Sequence, residues 1–306
     1  MLKYYNDKIR CYNADNLDVA NNFKSNIIDL LITSPPYPLI SGKDYFCSPN
    51  DEYVNWICNI IQTYLPKLKK TGSIVLDFGS VYNKGTPSFN LYHYEILLKL
   101  NHEFNLKLAM PMFWFNPSRI PTYIYATGQK IRPKDHVNCI YWLCTNPEIC
   151  KADTTKVLTK YTKSTLYYFK RHPETRFNQN NGALPTNLLC IPNTNSKDSY
   201  YKACLNLNIK PQQSIMPPKL VEFFVKMLTD ENDIICDPFS GSNTTGYIAN
   251  NLNRKCISIE KDPINAAKSA FRFIDPQHAS TVYNLLLNTS RPINLDDYGP
   301  TGLYPK

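Results

Sequence analysis

Residues 233–246, DIICDPFSGSNTTG, decide the fold. Ile234 to Cys236 is a short apolar run of the kind that forms a buried strand. It passes through a turn of small and polar residues into a helical pattern, Thr244 to Leu252. A strand handed to a helix through a Gly-containing turn is the building unit of a parallel α/β sheet. Its turn lets a nucleotide-like ligand approach the backbone. Asn243 stands where such a turn often has a second glycine, and Asn tolerates left-handed backbone angles. No Gly-Lys-Ser/Thr follows, so this is not an ATP-binding P-loop.

Reading outward, strand Lys255 to Glu260 and helix Ile264 to Phe273 follow. Glu260 ends its strand where an acidic side chain can bind ribose hydroxyls. Helix Lys219 to Leu228 precedes the opening stretch. Nearer the start, strands are expected at Lys8 to Asp15, Ile27 to Thr33, Gly72 to Phe78, Leu106 to Phe115 and His136 to Cys144. Helices are expected at Asp51 to Leu68, through Tyr53, Trp56, Ile57, Ile60, Ile61 and Tyr64, and at Leu91 to Glu103. This alternation predicts a doubly wound, mostly parallel α/β sheet with helices on both faces. The chain divides into 1–150, a block at 151–211 with weak periodicity, 212–290, and a loosely held tail at 291–306.

A second stretch carries chemistry. Thr33-Ser34-Pro35-Pro36-Tyr37 follows the apolar run of Ile27 to Thr33. Two prolines stiffen the backbone and remove two N–H donors. The turn displays the Ser34 hydroxyl, backbone carbonyls and the Tyr37 ring at the carboxyl end of a strand, where open α/β sheets bind ligands.

Together the two stretches resemble the amino-methyltransferases of DNA. In that family an Asp/Asn/Ser-Pro-Pro-Tyr/Phe tetrapeptide holds the target amine, and a Phe-x-Gly-x-Gly-like turn holds S-adenosyl-L-methionine. Here the catalytic stretch comes first and the cofactor stretch last, as in the circularly permuted beta group. DPFSGSNTTG, RKCISIEKD and SAFRFID look like the cytosine-N4 enzymes of restriction–modification systems. VLDFGSVYNKGTP, FWFNPSRIP, KIRPKDHVN, TTKVL and KLVEFFVKMLT extend the likeness from Ile27 to Asp275. One segment departs: Gln212 to Pro217 stands where the family has a stretch beginning His-Pro-Ala and ending Phe-Pro.

The resemblance implies a Rossmann-like S-adenosylmethionine-dependent methyltransferase sheet with a target-recognition insertion at 151–211. It implies N4 methylation of cytosine in duplex DNA by base flipping and direct transfer, with Ser34, Pro35, Pro36 and Tyr37 as the catalytic turn. Cofactor contacts are expected from Asp15, Asp77, Asp237, Phe239, Gly241, Ser242, Asn243, Thr244 and Glu260. Phe78 and Gly79 should line the same crevice. Asp15 reads equally as a solvated strand-end acid, and Asp77 as a structural cap. Ser34 in place of Asp or Asn favours cytosine as a family tendency, and adenine N6 is the alternative. A non-catalytic DNA-binding protein that kept the fold is a second alternative. No Pro-Cys dipeptide occurs, which argues against carbon methylation through a cysteine nucleophile.

Charge agrees with a polyanionic partner. Lys and Arg number 34 against 25 acidic residues, a net +9, which favours nucleic acid over membrane. Candidate DNA contacts are Lys130, Arg132 and Lys134, and in the 151–211 block Lys163, Lys170, Arg171 and Arg176, interleaved with Tyr161, Tyr167, Tyr168 and Phe169. The bland reading of that block is a solvated basic insertion. Trp114 and Phe115 are candidates to approach a flipped base, though strand aromatics are more often core. The ten cysteines are scattered singly and read as reduced thiols, with no metal site expected. No apolar run approaches the ~18 residues of a membrane span. A cytoplasmic enzyme is expected, with a cognate restriction endonuclease as a possible partner.

Overall fold

The computed structural model describes residues 1–38, 50–120, 123–173, 182–194 and 198–299. Among these, ten strands form one sheet. They are β1 (Leu2–Tyr5), β2 (Ile9–Asn13), β3 (Ile28–Thr33), β4 (Leu68–Gly79), β5 (Lys107–Phe115), β6 (Val137–Cys144), β7 (Leu188–Cys190), β8 (Ile234–Asp237), β9 (Lys255–Glu260) and β10 (Ile293–Asn294). Their order is β10-β1-β2-β9-β8-β3-β4-β6-β5-β7. The middle, β2-β9-β8-β3-β4, is parallel throughout. Parallel strands covered on both faces read as continuous apolar runs, and all six residues of β3 are buried. Antiparallel β6 lies between β4 and β5.

The helices are α1 (Asn16–Ala20), α2 (Asn50–Tyr64), α3 (Tyr92–Phe104), α4 (Lys163–Arg171), α5 (Ser199–Asn206), α6 (Pro218–Leu228), α7 (Thr244–Asn251), α8 (Pro263–Ser269) and α9 (Ala279–Asn288). Two apolar clusters cover the sheet. Tyr53, Ile57 and Ile61 of α2 and Ile96 and Leu100 of α3 pack in one with Leu31 and Ile74. Phe224 of α6, Ile248 of α7, Ala267 of α8 and Val282 and Leu286 of α9 pack in the other with Leu30, Ile32 and Ile235. Each fully buried Leu, Ile or Phe contributes roughly 1.5–3 kcal/mol. Helix α4 buries no residue.

The expected doubly wound α/β sheet is present, and the differences have local causes. Helix α2 ends at Tyr64 rather than Leu68: Pro66 sits in a short 3-10 turn, and Leu68 already begins β4. Leu2–Tyr5 adds a strand because Asn6 folds the chain back on itself, its Oδ1 accepting from the Lys8 and Ile9 amides at 2.9 and 2.7 Å. Residues 293–298, expected in a loose tail, are tied down. Ile293 pairs with Tyr4, Leu295 is buried, and the Asp275 amide donates to the Tyr298 carbonyl at 3.0 Å. Leu295 joins the apolar cluster that also holds Val282 and Leu286 of α9, a helix that periodicity alone did not reveal. The pairing of β1 with β10 brings residues 293–294 beside residues 4–5.

Candidate active site

The pairing of β3 with β8, Leu31 opposite Cys236, brings the ends of two strands far apart in sequence side by side. Thr33 ends one and Asp237 the other. The buried Asp237 carboxylate accepts from the Thr33 hydroxyl at 2.7 Å, the Thr245 hydroxyl at 2.6 Å and the Phe239 amide at 3.1 Å. One carboxylate therefore fastens the Ser34 turn to both sides of the Gly-containing turn. Burial pushes its pKa up to about 6. With both oxygens occupied, Asp237 shapes the cleft more than it presents a free acceptor to it.

The Gly-containing turn is built from beneath. Gly241 has φ +50, and a Cβ there would lie 2.3 Å from the Gln212 amide nitrogen. Asn243 is left-handed at φ 58, as its residue type allows. Its Oδ1 accepts from the Gly246 amide at 3.0 Å and the Ser258 hydroxyl at 2.7 Å, and its Nδ2 donates to Tyr4 at 2.9 Å. It caps α7 and anchors the turn to β1 and β9. Arg272 completes the support. Its guanidinium donates to the Ser242 carbonyl and to the Ser242 and Thr244 hydroxyls. It pairs with Asp198 at 2.7 Å, both side chains almost wholly buried, and lies over the Tyr200 and Tyr247 rings.

The Ser34 turn is held from the other side. Tyr53 of α2 donates to the Pro36 carbonyl at 2.7 Å. The Tyr37 ring covers Gly79, where a Cβ would meet ring carbon Cε2 at 2.6 Å; a side chain at 79 would displace the ring. Ser34 Oγ lies 3.3 Å from the Tyr37 hydroxyl and donates to the Asp77 main-chain carbonyl at 3.4 Å. Asn138 of β6 donates to the Tyr37 oxygen at 3.1 Å and to Asp77 Oδ1 at 2.8 Å, and accepts from Arg119. Burial pushes the Asp77 carboxyl up to about 6 against these hydrogen bonds and the nearby Arg119. Burial, then the Asp77 charge, raises the Tyr37 phenol well above its ordinary value.

One cleft joins the two turns. Ser34, Asp237, Phe239, Ser240, Gly241, Ser242, Thr244 and Thr245 line it, and the far wall is Gln212, Ser214, Ile215 and Met216. Of the residues expected to hold a cofactor, Phe239, Gly241, Ser242 and Thr244 face this cleft beside Asp237. Asn243 lies under the turn instead, and Asp77 stands behind the Ser34 turn. Asp15 caps α1 through the Leu17 amide at 3.0 Å and pairs with Lys261 at 3.1 Å. Glu260 accepts from the Asp262 amide at 2.8 Å, and burial pushes its carboxyl up to about 7. Neither Asp15 nor Glu260 lines the cleft.

Asn138 pairs with Gly79, so the chain leading into β6 emerges at the same sheet edge as the Ser34 turn. Lys130, Arg132 and Lys134 lie on that chain, all exposed, with Arg132 donating to the Pro87 carbonyl at 3.2 Å. Lys163, Lys170 and Arg171 are exposed on α4, with Arg171 over the Tyr167 ring at 5.0 Å. Arg176 lies outside the described residues. Trp114 is core, its indole donating to the Ile191 carbonyl at 2.8 Å. Asn138, Arg119 and Arg272 were not singled out from the sequence, and Tyr53 was read only as part of the apolar face of its helix. The available signal was a lone amide in VNCIYWLC and a lone Arg in SAFRFI, since a buried polar group in an apolar element has partners elsewhere.

The site fits a bound S-adenosylmethionine. The cleft has a bare Gly241 face, and Gln212 Oε1 is a buried acceptor without a partner among the described residues, which suits a ligand carrying an ammonium group. Among the described residues no cluster of His, Cys, Asp or Glu could hold a metal, and no helix is long and apolar enough to cross a membrane.

A family model described as DNA methylase matches residues 28–269. The type II methyltransferase M.PvuII of Proteus hauseri is 37% identical over 297 residues, covering 90% of this chain and 88% of that protein. M.HpaI of Haemophilus parainfluenzae is 28% identical over 270 residues, covering 85% and 73%. The solved structure of the PvuII DNA methyltransferase (cytosine-N4-specific) matches with a TM-score of 0.83 at 35% identity, covering 96% of this chain and 98% of that one. The M1.HpyAVI–SAM complex shares the fold at a TM-score of 0.52 and 20% identity, covering 86% and 98%.

Proposed function

This chain belongs to the DNA methylase family, and from that premise we propose that it transfers a methyl group from S-adenosylmethionine to the N4 amine of cytosine in duplex DNA. One observation carries the reading: Ser34 lines the cleft walled by the Gly-containing turn, with Asp237 tying the two turns together. The likeness to M.PvuII over nearly the full chain supports cytosine N4 as the target.

Phe239, Gly241, Ser242 and Thr244 would hold the cofactor, with Gln212 Oε1 facing its ammonium group. When bound, S-adenosylmethionine supplies a methyl group already activated on sulfur. The protein's task is to present a nucleophile in line. Cytosine's amino lone pair is delocalised into the ring, so the Ser34 hydroxyl and the Pro35 carbonyl accept the two amine hydrogens and localise it. Those hydrogen bonds strengthen as positive charge grows on nitrogen, and they favour the transition state over the ground state. Asp77, largely ionised at neutral pH, adds negative charge behind the same turn. Tyr37 packs against the base, which leaves the duplex at a cost of a few kcal/mol. The 151–211 block, with α4, is the region that reads the target sequence, while Lys130, Arg132 and Lys134 neutralise phosphates. The portions 1–150 and 212–290 form one catalytic domain around it. This reading extends to work in the cytoplasm and to protection of DNA from a cognate restriction endonuclease, as befits a relative of a type II methyltransferase.

Mass spectrometry of nucleosides from unmethylated plasmid DNA treated with enzyme and S-adenosylmethionine tests it. N4-methylcytosine is expected. N6-methyladenine would overturn the choice of base, and an absence of methylated nucleosides would overturn the activity.

A further inference from the structure

Asn138 is almost wholly buried and all of its side-chain hydrogen-bonding groups have a use. Its two amide hydrogens meet Asp77 Oδ1 at 2.8 Å and the Tyr37 oxygen at 3.1 Å. Its carbonyl oxygen accepts from Arg119, whose guanidinium also faces Asp135 at 3.8 Å. A guanidinium has donors only. The amide therefore has one orientation, oxygen toward Arg119 and nitrogen toward the Ser34 turn, where an unsupported Asn could flip.

That orientation propagates. The Tyr37 oxygen receives a hydrogen from Asn138, so its own hydrogen points elsewhere, and the Ser34 oxygen stands 3.3 Å away. In one arrangement Ser34 accepts it and directs its own hydrogen to the Asp77 main-chain carbonyl at 3.4 Å, while the Asp77 carboxyl also draws hydrogen bonds from Tyr37 and Ser34. One lone pair of Ser34 Oγ then remains for an incoming amine hydrogen.

We propose that Asn138, oriented by Arg119, is a positioning residue that sets the direction of the chain Asn138 → Tyr37 → Ser34 and so keeps Ser34 an acceptor toward the target amine. The inference rests on the proposed methyl transfer to an exocyclic amine. It concerns the Asn138 and Arg119 side chains, which touch no reacting atom and act through Tyr37 and Ser34, with Asp77 as the competing route that the test separates. The groups facing Asp77 in this network are Asn138 from β6, Ser34 and Tyr37 from the turn after β3, and Arg119 from the chain after β5.

A double-mutant cycle tests it, with turnover and the KM for DNA measured for wild type, Asn138→Ala, Tyr37→Phe and the pair. Asn138→Ala is expected to lower kcat roughly tenfold or more with KM changed by less than about threefold, the size of coupling seen within one hydrogen-bond network. In the Tyr37→Phe background the same change should cost about twofold at most. Equal losses in both backgrounds would overturn the proposal, since Asn138 would then act only through packing or Asp77. Arg119→Met leaves Asn138 in place and covers the case where Asn138→Ala does not fold. It should lower kcat in the Tyr37 protein and hardly at all in Tyr37→Phe, and equal effects would again overturn the idea. NMR of the cofactor-free protein gives a readout apart from activity. Both side-chain amide protons of Asn138 should be protected from exchange, one of them losing protection in Tyr37→Phe. Two rapidly exchanging protons in wild type would refute the orientation. Wild-type turnover itself reports on the methyltransferase reading, so its failure is seen separately from that of the cycle.

Discussion

In the turn after β8, Ser242, Asn243, Thr244 and Thr245 are all buried and each is hydrogen-bonded. On α4, Lys163, Lys170 and Arg171 stand in solvent beside exposed Leu166, Tyr167 and Tyr168. Both regions are short and polar, yet one is built inward and the other outward. A cleft that must fix a small ligand to a fraction of an ångström needs its polar groups paired in advance. A surface that tracks a charged duplex can leave its cations hydrated until counterions are released on binding. Uncharged hydroxyl and amide side chains thus build the rigid cradle, while cations and aromatics make up the surface proposed to meet DNA.

The contrast is broken most severely at Arg272. Arg272→Met breaks the buried ion pair with Asp198, a change that costs about 3–5 kcal/mol, and it removes the support beneath Ser242. Chemical denaturation should show that loss and calorimetry a weakened affinity for S-adenosylmethionine, with Asp198→Asn added to Arg272→Met restoring part of the stability. A wild-type denaturation midpoint for Arg272→Met would remove Arg272 from the cradle.

Next in size is Ser34→Ala. Ser34 is only partly buried and its bonds at 3.3 and 3.4 Å are long, so stability should change by less than about 1 kcal/mol. Turnover should fall by about 100-fold or more, the usual cost of removing one group that stabilises developing charge. Cofactor affinity should stay within about threefold of wild type, which calorimetry reads directly.

Helix α4 should behave in the opposite way to Arg272. Lys170→Ala and Arg171→Ala are each expected to leave the melting temperature unchanged and weaken DNA binding several-fold. Each should flatten the dependence of log affinity on log salt by about one. A salt slope equal to wild type in both would return α4 to the status of a solvated basic face.

The smallest effect is a pH dependence inside the cradle. Burial holds Asp77 and Asp237 at about 6 and Glu260 at about 7. A carboxyl raised in the folded state binds more protons there than in the unfolded chain between its two pKa values, so its contribution to stability falls as pH rises through that window. Buried His93, lowered to about 4, works in the opposite direction, and a variant difference separates them. Asp77→Asn should gain on wild type by a few degrees in melting temperature between about pH 4 and 7. Asp230, held at about 2 by Lys156 and Lys151, titrates below that window. No change in the difference across it would mean that Asp77 is not held high.

Much of the core was legible because apolar periodicity is a local property. IIDLLIT, GSIVLDF and the α2 and α6 patterns announce strands and helices whatever they pack against. Elements without such a signature were missed. β10 is a short edge strand that exists through its pairing with β1, β1 is a short strand held between β10 and β2, and α9 follows a proline-started 3-10 turn. The two motif turns were legible too, because Pro35-Pro36 restricts the backbone and Gly241 permits a left-handed conformation, both local properties that neighbours need not supply.

By itself, then, the amino-acid sequence determined the strand–helix alternation, the two turns, the left-handed Asn243 and the excess of basic charge. These follow from side-chain shape, backbone freedom and charge counted along the chain. Only the tertiary structure decided that Asp237 would clamp Thr33 to Thr245, that Arg272 would lie beneath Ser242, and that Asn138 would reach Tyr37 and Asp77. Each of those contacts crosses from one strand or helix to another, so its partner is chosen by strand order and register, which no single stretch of sequence contains.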